Sequence, residues 1–372
     1  MIFARTSGPP GVEGISAPGG ALARGGEVSA EIVDLTWLNA SVMRLLLELP
    51  AAIRFDYQPG QFLAVVPADG APRCFSMAAP PSGRIVELHV RYRGGRGFSQ
   101  WLKEKARIAD RVAIAGPYGD FAWRSRGGGR VILLATGTGI APISAMLEHA
   151  LAHNDKRQGL RLYWGGRHTD DFYRAPMFRR WQETHGNFVF VPVLSRRGAA
   201  GAGFAVGRVQ DVALAEASNL HNVDVYACGS PGMVEDARAR FLQRADMSPS
   251  RFFSDSFEPA AVAEKSGPAA PTVAVIVKRR ESADRIEARI GDTLLAALKR
   301  AGFPLFSICG GRASCGTCKT GIVPAWSARL PPPSKIERNL LACLPDSRVD
   351  DRLACQITLT AGLDGLEICP SG

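Results

Sequence analysis

Between residues 27 and 123, apolar and polar positions come in short, often alternating runs cut by turns. Glu31-Ile-Val-Asp-Leu, Ser41-Val-Met-Arg-Leu-Leu-Leu-Glu-Leu, Gln61-Phe-Leu-Ala-Val-Val, Ile85-Val-Glu-Leu-His-Val and Arg111-Val-Ala-Ile-Ala are of this kind. Closely spaced runs with a period near two predict short strands in an antiparallel barrel or sandwich. One helix interrupts them, from about Phe98 to Lys105, entered through a Gly-rich turn. From 127 to about 257 the pattern changes. Arg130-Val-Ile-Leu-Leu-Ala is a buried-strand run, followed by a Gly turn and a helical stretch from Ile143 to Ala152. Leu160-Arg-Leu-Tyr-Trp, Phe188-Val-Phe-Val-Pro-Val-Leu and Asp224-Val-Tyr-Ala-Cys are further strands with helical segments between them. Such alternation predicts a parallel sheet with helices on both faces.

The stretch from Glu258 to Pro271 is made of small residues and prolines with little to pack, and reads as a linker. Beyond it, Val273-Ala-Val-Ile-Val and Asp284-Arg-Ile-Glu-Ala-Arg-Ile predict a hairpin, and Thr293 to Ala301 a short amphipathic helix. Residues 1–25 read as a disordered leader. The expected organisation is a multidomain α/β and β chain: an antiparallel β-barrel over 26–125, a parallel-sheet α/β domain over 126–257, the linker 258–271 and a third domain over 272–372.

With 372 residues, 46% hydrophobic and 22% charged, the chain can bury more than one core, which excludes disordered and collagen-like classes. No apolar run approaches the ~18 residues of a membrane-spanning helix. The first 25 residues lack the apolar segment of a secretory signal, so a cytoplasmic location is expected. The net charge of +10 invites a nucleic-acid reading, but the basic clusters are short, the longest being Lys278-Arg279-Arg280, and none is interleaved with aromatics. The excess favours anionic cofactors or acidic partners instead.

Cysteine placement changes the picture most. Of the eight, at 74, 228, 309, 315, 318, 343, 355 and 369, six lie in the last 64 residues. Clustered cysteines outside an oxidising compartment read as metal ligands before disulfides. Cys309-Gly-Gly-Arg-Ala-Ser-Cys315-Gly-Thr-Cys318 puts three thiols on one loop whose glycines let the backbone wrap closely around a cluster. A fourth thiol must come from elsewhere, with Cys343 and Cys355 as candidates. Zinc sites ordinarily use two short Cys pairs, and only one C-x₂-C is present, so a [2Fe–2S] cluster is the expectation.

The spacing Cys309-x₅-Cys315-x₂-Cys318-x₃₆-Cys355, with the last cysteine inside Arg352-Leu-Ala-Cys-Gln-Ile357, resembles the adrenodoxin/putidaredoxin type of ferredoxin. The resemblance covers 272–372, implies a β-grasp-like domain, and selects Cys309, Cys315, Cys318 and Cys355 as metal ligands. The domain departs from the vertebrate pattern in being basic rather than acidic.

Arg73-Cys74-Phe75-Ser76 follows a strand and a Pro-rich turn. Its order suits a flavin: an Arg for a phosphate, an aromatic against the ring system and a hydroxyl near the reactive nitrogen. His89-Val90-Arg91 reads as an outward-pointing strand end. Gly94-Gly95-Arg96-Gly97-Phe98-Ser99 offers backbone N–H groups to a pyrophosphate at the start of the predicted helix. Together with Gly116-Pro-Tyr-Gly119, Ala135-Thr136-Gly137-Thr138-Gly139-Ile-Ala-Pro142 and Tyr226-Ala-Cys228-Gly229-Ser230-Pro231, these motifs resemble the ferredoxin–NADP⁺ reductase superfamily over residues 27–257.

That resemblance implies that Arg73, Phe75 and Ser76, with Cys74 between them, bind the flavin. Gly95, Gly97 and Ser99, with Phe98, bind its phosphates, and His89, Val90 and Arg91 belong to the same site. Thr136 to Gly139 and Cys228 to Pro231 hold the nicotinamide cofactor, Ser76 and Cys228 flank the reacting atoms, and Phe257 stands near the flavin. Phe75 replaces the usual Tyr, which removes one hydroxyl. The motifs around the Gly-rich turn favour FAD over FMN. Ser195-Arg196-Arg197 after the strand ending near 194 leans towards NADPH, whereas many oxygenase reductases of this shape use NADH, and the donor stays open. His149 and His153 share a helix face with no third ligand nearby in sequence and read as surface.

The expectation is an electron-transfer reductase carrying electrons from NADH or NADPH through FAD to a [2Fe–2S] cluster. By analogy with reductases of this domain order, the acceptor is a terminal oxygenase: a Rieske non-haem iron enzyme, a diiron hydroxylase or a cytochrome P450. The alternatives are a flavin reductase or a flavin/iron–sulfur redox sensor.

Overall fold

A computed structural model describes residues 27–66, 72–92, 94, 97–124, 129–153, 159–196, 203–257, 271–279, 282–303, 305, 311, 313, 316–344 and 347–370. The expected leader and nearly all of the expected linker lie outside these residues, as do Gly95, Arg197, Cys309 and Cys315.

The first sheet is built from β1 (Val28–Asn39), β2 (Val42–Glu48), β3 (Phe62–Val66), β4 (Arg73–Ser76), β5 (Ile85–Arg91) and, after α1 (Phe98–Glu104), β6 (Arg111–Tyr118). Its order is β4-β3-β6-β1-β2-β5 and every pairing is antiparallel. A bridge between Met77 and Leu88 joins the two edges and closes the barrel. The alternation read in the sequence is the reason: Leu45, Leu47, Val86, Leu88 and Val90 point into one core with Phe98 and Leu102 of α1.

The second sheet contains β7 (Arg130–Thr136), β8 (Gly159–Gly166), β9 (Phe188–Leu194), β10 (Ala205–Val206), β11 (Val223–Gly229) and β12 (Phe252–Ser256). The helices between them are α2 (Ile140–Ala152), α3 (Ala175–Thr184), α4 (Val209–Glu216) and α5 (Pro231–Leu242). All strands are parallel, in the order β10-β9-β8-β7-β11-β12. Alternate residues of β7 face opposite ways: Val131, Leu133 and Ala135 pack with α2 and α3, and Ile132 and Leu134 with α4 and α5. The strand order reverses between β7 and β11, so the loops leaving these two strands border a crevice where α/β sheets bind ligands. One boundary differs from expectation. α2 starts at Ile140, three residues early, because the Gly turn Gly137–Gly139 is itself a 3₁₀ turn that runs into the helix.

The third sheet belongs to a separate compact unit. It holds β13 (Thr272–Lys278), β14 (Ala283–Arg289), β15 (Lys319–Ile322), β16 (Asp351–Leu353) and β17 (Leu366–Pro370), with α6 (Leu294–Arg300), α7 (Pro324–Ser327) and α8 (Lys335–Cys343). The order is β14-β13-β17-β15-β16, with β13–β17 the parallel pair, and α6 packs Leu294, Leu295 and Leu298 on its core. This is the β-grasp arrangement. Thr293 caps α6 by accepting the Ala296 N–H at 3.2 Å.

Candidate functional site

Arg73 to Ser76 form β4, where pairing with β3 sets Ser76 opposite Phe62 and Phe75 opposite Leu63. Ser76 is buried, and Arg73, Cys74 and Phe75 are half-buried. The Phe75 ring lies 5.6 Å from that of Phe98, the first residue of α1, and Phe98 stacks on Trp101 at 5.7 Å. This aromatic contact docks the helix start against β4. Gly97 has φ of 111°, a conformation that favours glycine, and a Cβ there would stand 3.7 Å from the Arg73 guanidinium. One cation and an open backbone turn therefore converge, which fits a phosphate group of FAD.

The nicotinamide loops leave adjacent strands. Cys228 pairs with Ala135 on one side and Asp255 on the other, and is fully buried. The Ser230 N–H donates to Thr136 Oγ1 at 3.0 Å. Gly229 has φ of 140°, and a Cβ on it would collide with Thr136 Oγ1 and stand 2.6 Å from the Thr136 carbonyl oxygen. A Cβ on Gly139 would stand 2.7 Å from Gly229 Cα. The two loops thus touch backbone to backbone. The Phe257 N–H donates to the Gly229 carbonyl at 2.7 Å, which places the Phe257 backbone beside the loop that follows Cys228. Pro231 opens α5, and Thr136, Gly137 and Thr138 keep part of their surface open. Arg91, exposed at the end of β5, extends its guanidinium to within 3.2 Å of the Cβ position of Gly137. The barrel and the nucleotide sheet meet at this turn.

Ser195 and Arg196 are exposed beyond β9, and the Ser195 hydroxyl and N–H both donate to the Gly166 carbonyl, at 3.2 and 3.0 Å.

His89 departs from expectation. Its side chain is fully buried rather than outward-pointing, because β5 turns this face towards the segment before α3. Its Nε2 is 2.9 Å from Glu87 Oε1 and its Nδ1 3.1 Å from the Tyr173 hydroxyl. Glu87 is also ion-paired with Arg174, whose Nη1 donates to the Ala78 carbonyl at 3.4 Å. Burial pulls the His89 pKa down to about 4 against the opposing pull of Glu87, so the ring is neutral near pH 7. Burial pushes the Glu87 carboxyl up, but the His89 hydrogen bond and the Arg174 charge outweigh it and hold the pKa below its ordinary value. Glu87, Tyr173 and Arg174 carry no motif, and their pairings span 84 and 87 residues, so nothing local in the sequence announces them.

In the third unit Cys318 and Cys355 are both buried, 1% and 6% exposed. Cys318 precedes β15, and its carbonyl accepts the Ala354 N–H at 3.0 Å, tying it to the turn that carries Cys355. Gly311, inside the Cys309–Cys318 loop, lies close enough that a Cβ on it would be 3.6 Å from Cys355 Cβ. Gln356 Nε2 donates to the Gly311 carbonyl at 3.3 Å and to Cys355 Sγ at 3.4 Å. The Gly-rich loop and the distant cysteine are therefore in contact, with an amide donor at the sulfur, which fits a thiolate-held cluster. Cys343 sits at the end of α8.

Fold and site together define a flavin- and nicotinamide-dependent oxidoreductase that carries its own iron–sulfur domain. Family models match in the same order along the chain: an oxidoreductase FAD-binding domain at 29–123, an oxidoreductase NAD-binding domain at 133–239 and a 2Fe-2S iron-sulfur cluster binding domain at 277–360. The chain is 32% identical over 227 residues to the CDP-6-deoxy-L-threo-D-glycero-4-hexulose-3-dehydrase reductase of Yersinia pestis, covering 61% of this chain and 67% of that one. It is 31% identical over 211 residues to the terephthalate 1,2-dioxygenase reductase component 1 of Comamonas sp., covering 56% and 62%. Among solved structures it resembles the Amycolatopsis cytochrome P450 reductase GcoB, with a TM-score of 0.58 and 32% identity over 63% of this chain and 71% of that one. The chain belongs to the ferredoxin–NADP⁺ reductase superfamily, and its cofactors are FAD, NAD(P)H and a [2Fe–2S] cluster. No helix among the described residues is long and apolar enough to cross a membrane.

Proposed function

We propose that this protein is the reductase component of an oxygenase system, taking electrons from NADH or NADPH and delivering them from its ferredoxin domain to a separate terminal oxygenase. The observation that carries the reading is the meeting of Arg91 with Gly137, which brings the nicotinamide loop to the flavin-binding barrel. Likeness to a dioxygenase reductase component and to a cytochrome P450 reductase supports an oxygenase as acceptor, of the Rieske, diiron or P450 class.

FAD, when bound, accepts two electrons together from a dihydronicotinamide and releases them singly, as a one-electron cluster requires. The chain's residues supply position and charge. Arg73 neutralises a flavin phosphate over the Gly97–Ser99 turn, Phe75 packs against the ring system, and the buried Ser76 hydroxyl supplies a hydrogen bond at its reactive edge. Thr136–Gly139 and Cys228–Pro231 seat the nicotinamide nucleotide, the glycines leaving room for it, and Cys228 bounds the pocket beside Phe257. Cys309, Cys315, Cys318 and Cys355 ligate the cluster, and the Gln356 amide stabilises negative charge on the Cys355 sulfur. The domain ranges that go with these roles are 26–125, 126–257 and 272–372.

Partition between acceptors tests the reading. Cys355→Ser should keep NAD(P)H-driven reduction of ferricyanide, which the flavin alone serves, and lose most reduction of cytochrome c. Equal cytochrome c reduction by wild type and variant would instead support a flavin reductase. Slow turnover of both acceptors by the wild type would support a redox sensor.

A further inference from the structure

A line of side chains, buried at His89 and half-buried at Glu87, Tyr173 and Arg174, runs from β5 of the barrel towards the nicotinamide turn. Glu87 and His89 alternate with Leu88 and so share one side of β5. The Glu87 carboxylate only accepts, so His89 Nε2 must carry the proton and donate to it. In a neutral ring Nδ1 then accepts, and the Tyr173 hydroxyl donates to it at 3.1 Å. The Tyr173 ring stands edge-on to Trp164 at 5.2 Å, and Trp164 Nε1 donates to the Gly137 carbonyl at 3.3 Å. Arg174, the next residue, pairs with Glu87 and reaches the carbonyl of Ala78, two residues beyond Ser76.

The line thus begins on the barrel, beside the end of the Arg73–Ser76 motif, and ends on the turn that opens α2. A purely apolar contact would hold the two sheets together as firmly but would not fix direction. Hydrogen bonds and an ion pair of defined geometry do.

We propose that Glu87, His89, Tyr173 and Arg174 form a positioning device that fixes the turn Thr136–Gly139 relative to the flavin-binding barrel and thereby sets how the nicotinamide approaches the flavin. The inference rests on the reductase reading above. Hydride transfer depends steeply on this approach: a displacement of about 1 Å can cost about a hundredfold in rate. On this proposal the four residues act through the turn, with the His89 ring held between Glu87 and Tyr173.

The test uses the full, cofactor-loaded chain and the variants Tyr173→Phe, His89→Gln and their double. Tyr173→Phe keeps the ring on Trp164 and removes only the hydroxyl. His89→Gln keeps a donor for Glu87 and removes the acceptor for Tyr173. Three quantities are read: the rate of flavin bleaching at saturating nucleotide without oxygen, the long-wavelength absorbance from nicotinamide stacking on the flavin when oxidised nucleotide is added, and FAD content. Each single variant should slow bleaching about tenfold and weaken the stacking absorbance, while FAD content and the KM for nucleotide stay within about twofold. Both substitutions break the same bond, so the double should be no slower than the slower single.

A purely structural role would lower the temperature of flavin release and leave the bleaching rate and stacking absorbance unchanged, which would overturn the proposal. So would effects that multiply in the double. Wild-type protein that neither nucleotide bleaches would count against the reductase reading, whereas the stacking absorbance still reports on the positioning device.

Discussion

At the scale of single residues, the glycines of the nucleotide loops are tightly constrained positions. Gly229 is held at φ of 140° with no space for a side chain between it and the Thr136 backbone. Gly229→Ala must either push β11 away from β7 or displace the Thr136 turn. The variant is expected to keep its FAD, since the Arg73 and Gly97 contacts lie elsewhere, and to lose at least tenfold in flavin reduction by NAD(P)H. Stopped-flow absorbance checks this, and wild-type rates would show that the turn is not part of the nucleotide seat. The glycine pattern was legible in the sequence because it is local, and so were Arg73-Cys-Phe-Ser and the cysteine spacing. The burial of His89 was not. A histidine on an alternating strand reads as solvent-facing until the other domain is laid over it, and Tyr173 lies 84 positions away.

At the scale of elements, the ferredoxin unit shows how a ligand-bearing turn is braced. Glu337 of α8 is 1% exposed and receives three donors: Arg352 Nε at 2.9 Å, Arg352 Nη2 at 3.2 Å and the Leu353 N–H at 2.9 Å. Arg352 also donates to the Pro331 carbonyl at 2.9 Å. The pair clamps α8 and the Pro-rich segment before it onto β16, two residues ahead of the Cys355 turn. Glu337→Ala would leave the Arg352 guanidinium, 9% exposed, without its counter-charge, at a cost of about 3 kcal/mol or more. For a domain of this size the temperature at which iron–sulfur absorbance disappears should fall by about 10 °C or more. A shift within about 2 °C would show that the clamp does not brace the cluster turn.

The helix itself was missed in the sequence, although its start carries a signal. Ser334 stands three residues before Glu337, and its hydroxyl accepts the Glu337 N–H at 3.1 Å, but three preceding prolines and the shortness of the helix obscured it. The parallel sheet was far easier to read. Its central strand β7 is buried on both faces and appears as an unbroken apolar run, whereas β15 and β16 have four and three residues and too little pattern to detect.

At the scale of the whole molecule, the chain joins a flavin and nicotinamide unit to a ferredoxin unit, with the FAD-binding domain first, the NAD-binding domain second and the 2Fe-2S domain last. Residues 271–372 hold 14 basic and 10 acidic residues, and this net charge of +4 on the ferredoxin unit favours acceptors with an acidic face, the reverse of the usual acidic ferredoxin. The domain order was legible because each domain keeps its own hydrophobic period and its own motif. The contacts that align the first two domains were not, because they join residues that no local pattern relates.

The central claim is that electrons from NAD(P)H reach the [2Fe–2S] cluster through the flavin of the same chain. The most direct test is the absorbance spectrum of the purified, iron-loaded protein in the absence of oxygen, recorded before and after adding NADH or NADPH. The account predicts a flavin band with a broad iron–sulfur shoulder, both bleached by one of the two nucleotides. A flavin band that bleaches while the iron–sulfur shoulder persists would contradict it.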